Sequence, residues 1–292
     1  MQTTKRLANP VWLFVPAFAI IIAIAIVPLV YSVYISLHSW SIAGGKAPEF
    51  NYGLNYMWMV TDSRFLSSLE RLLYYAGVGV GVELILGLIF STAIYDGFKS
   101  PRQRSIILTL CLTPMLVAPV AAGFSWWMMD HSTYGVINYL FSLVGLPSVD
   151  WLGDPNVALS SVMIAEIWQW TPFITLILYA GRLSTPASLY EAAELDGAGS
   201  WRVFRRITLP SLTKFMALAG LLRLIDSYKF IDTLFIMTGG GPGTASELPT
   251  LYIYVQAFEK LQLGRAAALS WAMTLLAIIG GNIFLKLQER SR

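Results

Sequence analysis

Long apolar stretches separated by short polar segments dominate this chain. Six of them have the length, roughly 20 apolar residues, that an α-helix needs to cross a bilayer. They run from about Trp12 to Leu37, Leu72 to Tyr95, Ile106 to Met129, Val157 to Ala180, Phe215 to Met237 and Ala266 to Leu287. Strands of a membrane barrel would alternate over shorter segments. The pattern therefore predicts an all-α polytopic membrane protein with six transmembrane helices.

The composition supports this prediction. Of the 292 residues, 56% are hydrophobic and only 13% are charged, which is too apolar for a soluble surface to hide. The first stretch follows Lys5 and Arg6, as a signal peptide would, but it is longer than the apolar part of a signal and contains Pro16 and Pro28. We therefore expect the first stretch to be a retained helix.

Basic residues are distributed unevenly between the two sides of the predicted membrane. One side holds Lys5, Arg6, Lys99, Arg102, Arg104, Arg182, Arg202, Arg205, Arg206, Lys214, Lys286, Arg290 and Arg292. The other side holds Lys46, Arg64, Arg71, Lys260 and Arg265. Because cytoplasmic loops carry the excess of Lys and Arg, both termini and the loop 182–211 are predicted to be cytoplasmic. The net charge of +3 then reflects topology, and no nucleic-acid partner is expected.

Motifs for catalysis and metal binding are missing from the sequence. Cys111 is the only cysteine, and His38 and His131 are not spaced as a ligand pair, so no metal site is expected. There is no G-x-x-x-x-G-K-[ST], G-x-S-x-G or H-E-x-x-H. The glycine-rich run 239–243 is expected to form a tight turn. We therefore expect a protein that is not an enzyme, has no catalytic residues and binds no cofactor itself.

The polar segment between the fourth and fifth stretches has the most informative order of residues. It begins with an acidic helical part at Glu191. Two alanines follow, and their small side chains leave one face of the helix narrow enough to enter a cleft. Gly197 permits a sharp change of direction, basic residues follow, and Pro210 is expected to begin the next span. This order predicts a cytoplasmic docking element, with an ordinary solvated loop as the alternative.

The same segment resembles the EAA loop of the permease subunits of binding-protein-dependent ABC importers. The matching positions are Glu191, Ala192, Ala193, Gly197, Ile207, Leu209 and Pro210. The resemblance implies the type I ABC importer permease architecture. It also implies that the segment is a coupling helix, which sits in a groove of the ATPase subunit and transmits its closing motion. Glu191 is the residue expected to pair with a basic group in that groove.

Other stretches are similar to the carbohydrate-uptake branch of this family. They are residues 151–156, 222–232, 238–242, 251–258 and 264–270. The resemblance implies a permease subunit of the cytoplasmic (inner) membrane that moves a sugar, oligosaccharide, sugar alcohol or glycerol phosphate by alternating access. Its implied partners are a second homologous permease, two copies of a cytoplasmic ATPase that use ATP and Mg, an extracytoplasmic solute-binding protein and membrane lipid.

The predicted organisation has three parts. Residues 1–70 form an N-terminal helix and outer loop, residues 71–287 form the permease core with the coupling loop 182–211, and residues 288–292 form a cytoplasmic tail. The alternative function is an ion-coupled secondary transporter that works without an ATPase. Such a transporter would normally show more helices or an internal repeat, and the sequence shows no repeat.

Polar and aromatic residues inside the spans are candidates for a solute path, because polar groups are costly in hydrocarbon. They are Glu83, Glu166, Trp168, Trp170, Arg223, Asp226, Lys229 and Asp232. The last four are spaced so that Arg223 can pair with Asp226, and Lys229 with Asp232, along one helix. Charge cancellation and solute binding therefore both stay open. The two glutamates can bind either sugar hydroxyls or a group of a neighbouring helix or of the partner subunit. The two tryptophans can contact a sugar ring or fill the bundle.

Overall fold

The computed structural model describes residues 14–45 and 47–290, which are mostly helical. The helices are α1 Val15–Ser36, α2 Leu54–Thr61, α3 Ser63–Gly97, α4 Pro101–Leu112, α5 Pro119–Met129, α6 Val136–Leu143, α7 Ala158–Ser184, α8 Ala187–Leu195, α9 Ser200–Val203, α10 Leu209–Ser227, α11 Asp232–Met237, α12 Pro249–Tyr254 and α13 Leu263–Arg290. Two short strands, β1 His38–Ser39 and β2 Glu49–Phe50, pair antiparallel. Trp12, and the basic residues Lys5, Arg6, Lys46 and Arg292 used for the topology, lie outside the described residues.

Five helices of the described chain are long and apolar enough to cross a membrane, and a bent pair brings the number to six. The six predicted spans are therefore confirmed in number and approximate position. Two of them differ from the prediction in their internal structure. These two are the third span, around Pro119, and the fifth, which follows the segment that contains Glu191.

The third span is not the continuous helix that was predicted from Ile106 to Met129. It consists of Pro101–Leu116 and Pro119–Met129, which are bent by 88°. Val117 and Ala118 between them are extended, because a proline disfavours the helical conformation of the residue before it. The carbonyl of Val117 accepts a hydrogen bond from Gln169 Nε2 on α7 at 2.8 Å, so the break leaves this group satisfied.

The fifth span begins and ends earlier than the predicted Phe215 to Met237. One helix runs from Ser200 to Ser227 through α9, a π-helical turn at Phe204–Thr208 and α10. The expectation that Pro210 begins the span is therefore wrong. The π-helical turn lies where the missing N–H and the ring of Pro210 disturb the α-helical bonding pattern. The chain is non-helical at residues 228–231 and resumes as α11.

The described residues form two compact units. The first contains residues 14–62 and 253–274, with α1, β1, β2, α2 and the beginning of α13. Asn55 Nδ2 donates to the carbonyls of Ser36 and His38 at 2.9 and 3.0 Å. Trp271 Nε1 donates to Ser32 Oγ at 3.0 Å. The contacts of Asn55 join α2 to the end of α1, and the contact of Trp271 joins α13 to α1.

The second unit contains residues 63–252 and 275–290, with its core between α3, α7 and α10. Ile174, Leu178 and Ala219 are fully buried at this core. Glycines let the helices approach each other closely: a Cβ on Gly87 would lie 2.6 Å from Ile174, and one on Gly181 would lie 2.7 Å from Phe215. This unit contains all the residues predicted to line a solute path or to couple to an ATPase.

Candidate functional site

Arg223 lies at the centre of a buried ion cluster that joins three helices. Its side chain on α10 is 2% exposed. Nε and Nη2 each donate to a carboxylate oxygen of Glu83 on α3 at 2.8 Å. Nη2 also donates to Glu166 on α7 at 3.2 Å, and Nη1 donates to Asp226 at 3.0 Å. Each guanidinium nitrogen therefore has a carboxylate partner, and the predicted pair of Arg223 with Asp226 is present.

The predicted pair of Lys229 with Asp232 is wrong. Lys229 Nζ lies 3.7 Å from Asp226 instead. The prediction assumed one continuous helix, but α10 ends at Ser227 and Asp232 lies in the first turn of α11. A negative charge is favourable at that helix N-terminus. Of the two alternatives for Glu83 and Glu166, the structure shows binding to a neighbouring helix.

Two open cavities of about 210 and 270 Å³ lie beside this cluster. Trp170, Asp226 and Lys229 line both of them. The Trp170 ring covers the Arg223 guanidinium, with 4.8 Å between the guanidinium carbon and the ring centre. Trp168 is not among the described residues that line either cavity. It is 40% exposed and contacts the edge of Trp126.

The smaller cavity lies where the third and fifth spans are both broken. Its lining includes Pro119 from the third span and residues 229–233 from the fifth. Beyond the breaks, α5 and α11 pack together, since a Cβ on Gly123 would lie 3.2 Å from Ile236. Non-helical backbone at membrane depth is tolerated only where protein buries it or where it lines a water-filled cavity. The two breaks therefore mark this position as a candidate solute path.

The EAA segment forms α8, a turn and the beginning of the long helix that contains α10. Gly197 has a φ of +66°, which confirms the predicted change of direction. The amides of Gly197 and Ala198 donate to the carbonyls of Glu194 and Ala193 at 3.0 and 2.9 Å, which closes the end of α8. Of the motif residues, Glu191, Ala192, Gly197 and Pro210 are exposed, and Ala193, Ile207 and Leu209 are partly buried.

Large apolar side chains near Glu191 are exposed. We call Leu189, Glu191, Leu195 and Trp201 the α8 surface. Leu195 is 89% exposed and Trp201 71%. Within the part of the chain that the structure describes, no ion pair involves Glu191. Exposed apolar side chains beside an unpaired carboxylate are typical of a surface that another protein covers.

Sequence reasoning missed two polar contacts that shape this unit. Gln169 donates a hydrogen bond to the backbone of the broken third span. The sequence feature that could have indicated this contact is an uncharged polar residue between two tryptophans in an apolar stretch. Arg64 Nε donates to Glu247 at 2.8 Å, which ties the beginning of α3 to the loop after the glycine-rich turn. No local pattern links residues that lie so far apart in sequence. The turn itself is confirmed by positive φ values at Gly239, Gly240 and Gly243.

Known proteins are similar to this chain in sequence and in fold. Residues 83–291 match the family profile described as "Binding-protein-dependent transport system inner membrane component". A probable ABC transporter permease protein of Sinorhizobium fredii is 36% identical over 94% of this chain and 87% of its own length. A trehalose/maltose transport system permease protein of Thermococcus litoralis is 33% identical over 86% of this chain and 83% of its length. A sulfoquinovosyl glycerol transport system permease protein of Agrobacterium fabrum is 32% identical, covering 95% of this chain and 89% of its own.

A solved structure has the same fold. The crystal structure of a bacterial ABC transporter involved in the import of the acidic polysaccharide alginate matches with a TM-score of 0.82, at 19% identity, over 96% of both chains. A second crystal structure of the alginate transporter, in complex with an alginate pentasaccharide-bound periplasmic protein, matches with a TM-score of 0.80 over 96% of this chain and 94% of that one. These matches confirm the predicted all-α importer permease architecture.

Proposed function

Because the chain belongs to the family of binding-protein-dependent transport system inner membrane components, we propose that it is a permease subunit of an ATP-driven importer for a neutral carbohydrate. As in its relatives, the chain is a multi-pass permease subunit and not an enzyme. The observation that carries the proposal is the cavity beside Trp170, Asp226 and Lys229, at the breaks of two spans. The name of the trehalose/maltose relative supports a carbohydrate as the solute.

The charges at the cavity favour a neutral solute over an anionic one. The guanidinium nitrogens of Arg223 are already paired with three carboxylates, so few of its hydrogen-bond donors remain for an anionic solute. Lys229 is shared with Asp226. By formal charge the negative groups outnumber the positive ones; they are Glu83, Glu166, Asp226 and Asp232 against Arg223 and Lys229. A phosphate or carboxylate would meet like charges here, which weighs against glycerol phosphate and acidic sugars.

Sugar hydroxyls suit the groups that remain available. Asp226 is 43% exposed and its carboxylate can accept hydrogen bonds from hydroxyls, while Lys229 can donate to them. Trp170 presents an aromatic ring at the same cavities, and such a ring can pack against the apolar face of a sugar. We assign these three side chains as solute contacts and Glu83, Glu166 and Arg223 as the framework that holds them.

The size of the cavities supports a second permease as partner. Each is smaller than the roughly 300 Å³ at which small-molecule pockets begin. One chain therefore supplies only one wall of a site for a disaccharide. We propose that a second homologous permease supplies the other wall, and that transport proceeds by alternating access of the shared cavity.

The α8 surface supports an ATPase as the second kind of partner. We propose that this surface is cytoplasmic, together with both termini, and that each of two ATPase copies binds one permease through its EAA segment. Glu191 would pair with a basic group of the ATPase, and Leu195 and Trp201 would supply apolar contacts. ATP and Mg would be used by the ATPase alone. A solute-binding protein would deliver the carbohydrate at the opposite side.

ATP hydrolysis by the assembled importer tests the proposal. The chain is purified in lipid with the permease, ATPase and binding protein that are encoded beside it. Hydrolysis is measured with trehalose, maltose, sorbitol, glycerol 3-phosphate or no solute. We expect stimulation by a neutral solute only, and a loss of at least about fivefold with Glu191→Ala. Glu194→Ala, also exposed on α8, is the matched control and should behave as the unchanged protein.

Three outcomes would contradict parts of the proposal. Stimulation by glycerol 3-phosphate alone would refute the neutral solute. Equal activity of Glu191→Ala and Glu194→Ala would refute the role of Glu191. Failure to co-purify with an ATPase, together with solute uptake driven by an ion gradient, would favour the ion-coupled transporter.

A further inference from the structure

Arg182 connects four parts of the second unit at the end where α8 lies. It belongs to the last turn of α7, and its side chain is 3% exposed. The guanidinium forms an ion pair with Asp96 at the end of α3. Nη1 donates to the hydroxyl of Thr208, in the π-helical turn, at 3.4 Å. The guanidinium carbon lies 4.4 Å from the ring centre of Tyr95 and 4.5 Å from that of Tyr190.

Tyr190 is the member of this group that belongs to α8, where it directly precedes Glu191. Its hydroxyl lies 3.4 Å from the hydroxyl of Thr208, so it contacts both Arg182 and the helix that continues into α10. Arg182, in turn, contacts α3 through Tyr95 and Asp96. Arg182 therefore connects α8 to α3 and to the π-helical turn through one side chain.

The helices next to Arg182 are packed too closely to absorb such a displacement. A Cβ on Gly181 would lie 2.7 Å from Phe215 and 2.8 Å from Leu212, both on the helix that contains α10. Thr185 Oγ1 donates to Ser211 Oγ at 3.3 Å, which adds a polar contact between the end of α7 and α10. α7 and α10 therefore move together at this end, because close packing transmits strain.

The contacts of Arg182 allow adjustment as well as transmission. Asp96 is 59% exposed, so its pair with Arg182 is partly screened by solvent. Contacts of a guanidinium with aromatic rings depend weakly on lateral position compared with a bidentate carboxylate pair. Arg182 Nε is buried and has no hydrogen-bond partner among the described residues, so one donor is available for a second arrangement.

We propose that Arg182 is a positioning residue that transmits the movement of α8 to α3 and to the helix containing α10. This inference rests on the proposed function, because the ATPase supplies the movement. When the ATPase displaces α8, Tyr190 carries Arg182 with it. Arg182 then shifts Tyr95 and Asp96 at one end of α3, the helix that also carries Glu83 of the ion cluster beside the solute cavities.

A chemical reporter at the cavity separates this role from simple stabilisation. Leu222→Cys, at an exposed side chain that lines the larger cavity and is not assigned as a solute contact, is introduced with Cys111→Ser into the full importer in lipid. Its rate of modification by a membrane-impermeant methanethiosulfonate is measured with and without MgATP and vanadate. We expect the nucleotide to change this rate when Arg182 is present. In Arg182→Gln the change should be at least about fivefold smaller, although the ATPase stays bound and hydrolyses ATP.

Matched variants distinguish the possible results. Arg202→Gln removes an exposed arginine of the same loop and should leave the nucleotide response unchanged. Arg182→Lys keeps a charge beside Asp96 but loses the planar fork, so an intermediate response is expected. Tyr190→Ala removes only the ring on α8, and its nucleotide response should be reduced as in Arg182→Gln. If Arg182→Gln does not fold, the response of Tyr190→Ala tests the inference.

An undiminished response in both Arg182→Gln and Tyr190→Ala would overturn the inference. Failure of the reporter importer with Arg182 intact to bind or respond to its ATPase would refute the proposed function instead, so the two failures are distinguishable.

Discussion

Two buried arginines link α3 to α7, and they are held in opposite ways. Arg223 is surrounded by three carboxylates, two of which are at most 5% exposed. Arg182 has one carboxylate, which is largely exposed, together with two tyrosine rings and a hydroxyl. Buried charges are tolerated only with good geometry and full pairing, so Arg223 is confined to one arrangement. The softer contacts of Arg182 permit several. A fully paired cluster around Arg223 is thus combined with a more loosely held one around Arg182.

Removing the charge of Arg223 should have the largest effect on stability. Arg223→Met leaves Glu83 and Glu166 buried without a cation, which typically costs about 3–5 kcal/mol. Thermal unfolding of the purified importer in detergent, followed by tryptophan fluorescence, would measure the loss. Arg182→Met is the matched variant and should lose less, because its carboxylate can be solvated.

A rescue variant tests the cause of that loss. Arg223→Met combined with Glu83→Gln and Glu166→Gln removes the uncompensated charges and should recover much of the stability. If Arg182→Met is the more damaging single substitution, the contrast between a fixed and an adjustable cluster is wrong.

The packing between the two clusters should have the next largest effect. Gly87 lies between Glu83 and Asp96 on α3, and a Cβ there would be 2.6 Å from Ile174 Cγ2 and 3.2 Å from the backbone nitrogen of Thr175. Gly87→Ala should therefore destabilise the protein by about 1–3 kcal/mol through overpacking. The same unfolding measurement applies.

The control for Gly87 lies on the same helix. Gly81 has nothing within 4 Å of a Cβ among the described residues, so Gly81→Ala should cause no loss. Equal losses in both variants would show that α3 and α7 are not rigidly packed between the two arginines.

The smallest effect on stability is expected for the titration of Asp130, a buried carboxyl group with no ion pair in the described part of the chain. Asp130 follows α5, is 3% exposed, and its burial raises its pKa from 3.8 to about 7. The unfolded chain releases this proton near the lower value and the folded chain near the higher one. Stability should therefore fall as the pH rises from about 4 to about 7. Asp130→Asn should reduce this slope, measured as the unfolding temperature at several pH values, and an unchanged slope would contradict it.

The sequence predicts the local features of this protein well and the contacts between distant segments poorly. The six spans follow from hydrophobicity, and the turn at Gly197 follows from one residue that tolerates positive φ. The partner of Lys229 was assigned wrongly because helical spacing was applied beyond Ser227, where the helix ends. No glycine or proline marks that end in the sequence, because residues 224–233 contain neither.

The two arginine clusters show the same limit. Glu83 and Arg223 lie 140 positions apart, and Arg182 and Asp96 lie 86 apart. Glu83, Arg223 and Arg182 were recognised only as charges, within a span or at the predicted cytoplasmic side, and Asp96 was not singled out. Pairing across helices depends on helix rotation and packing, which periodicity alone does not determine.

The π-helical turn at Phe204–Thr208 has a consequence for how the helix around it can evolve. A π-helical turn holds one more residue than an α-helical turn, and one residue corresponds to about 100° of rotation around the axis. Trp201 and Arg223 stand on one continuous helix, yet this turn sets the angle between the faces they occupy. Deleting a single residue there would rotate Trp201 by about 100° relative to Arg223 without altering either side chain. The turn thus sets the angle between two faces of one helix, and a change in its length would alter this angle where a substitution would not.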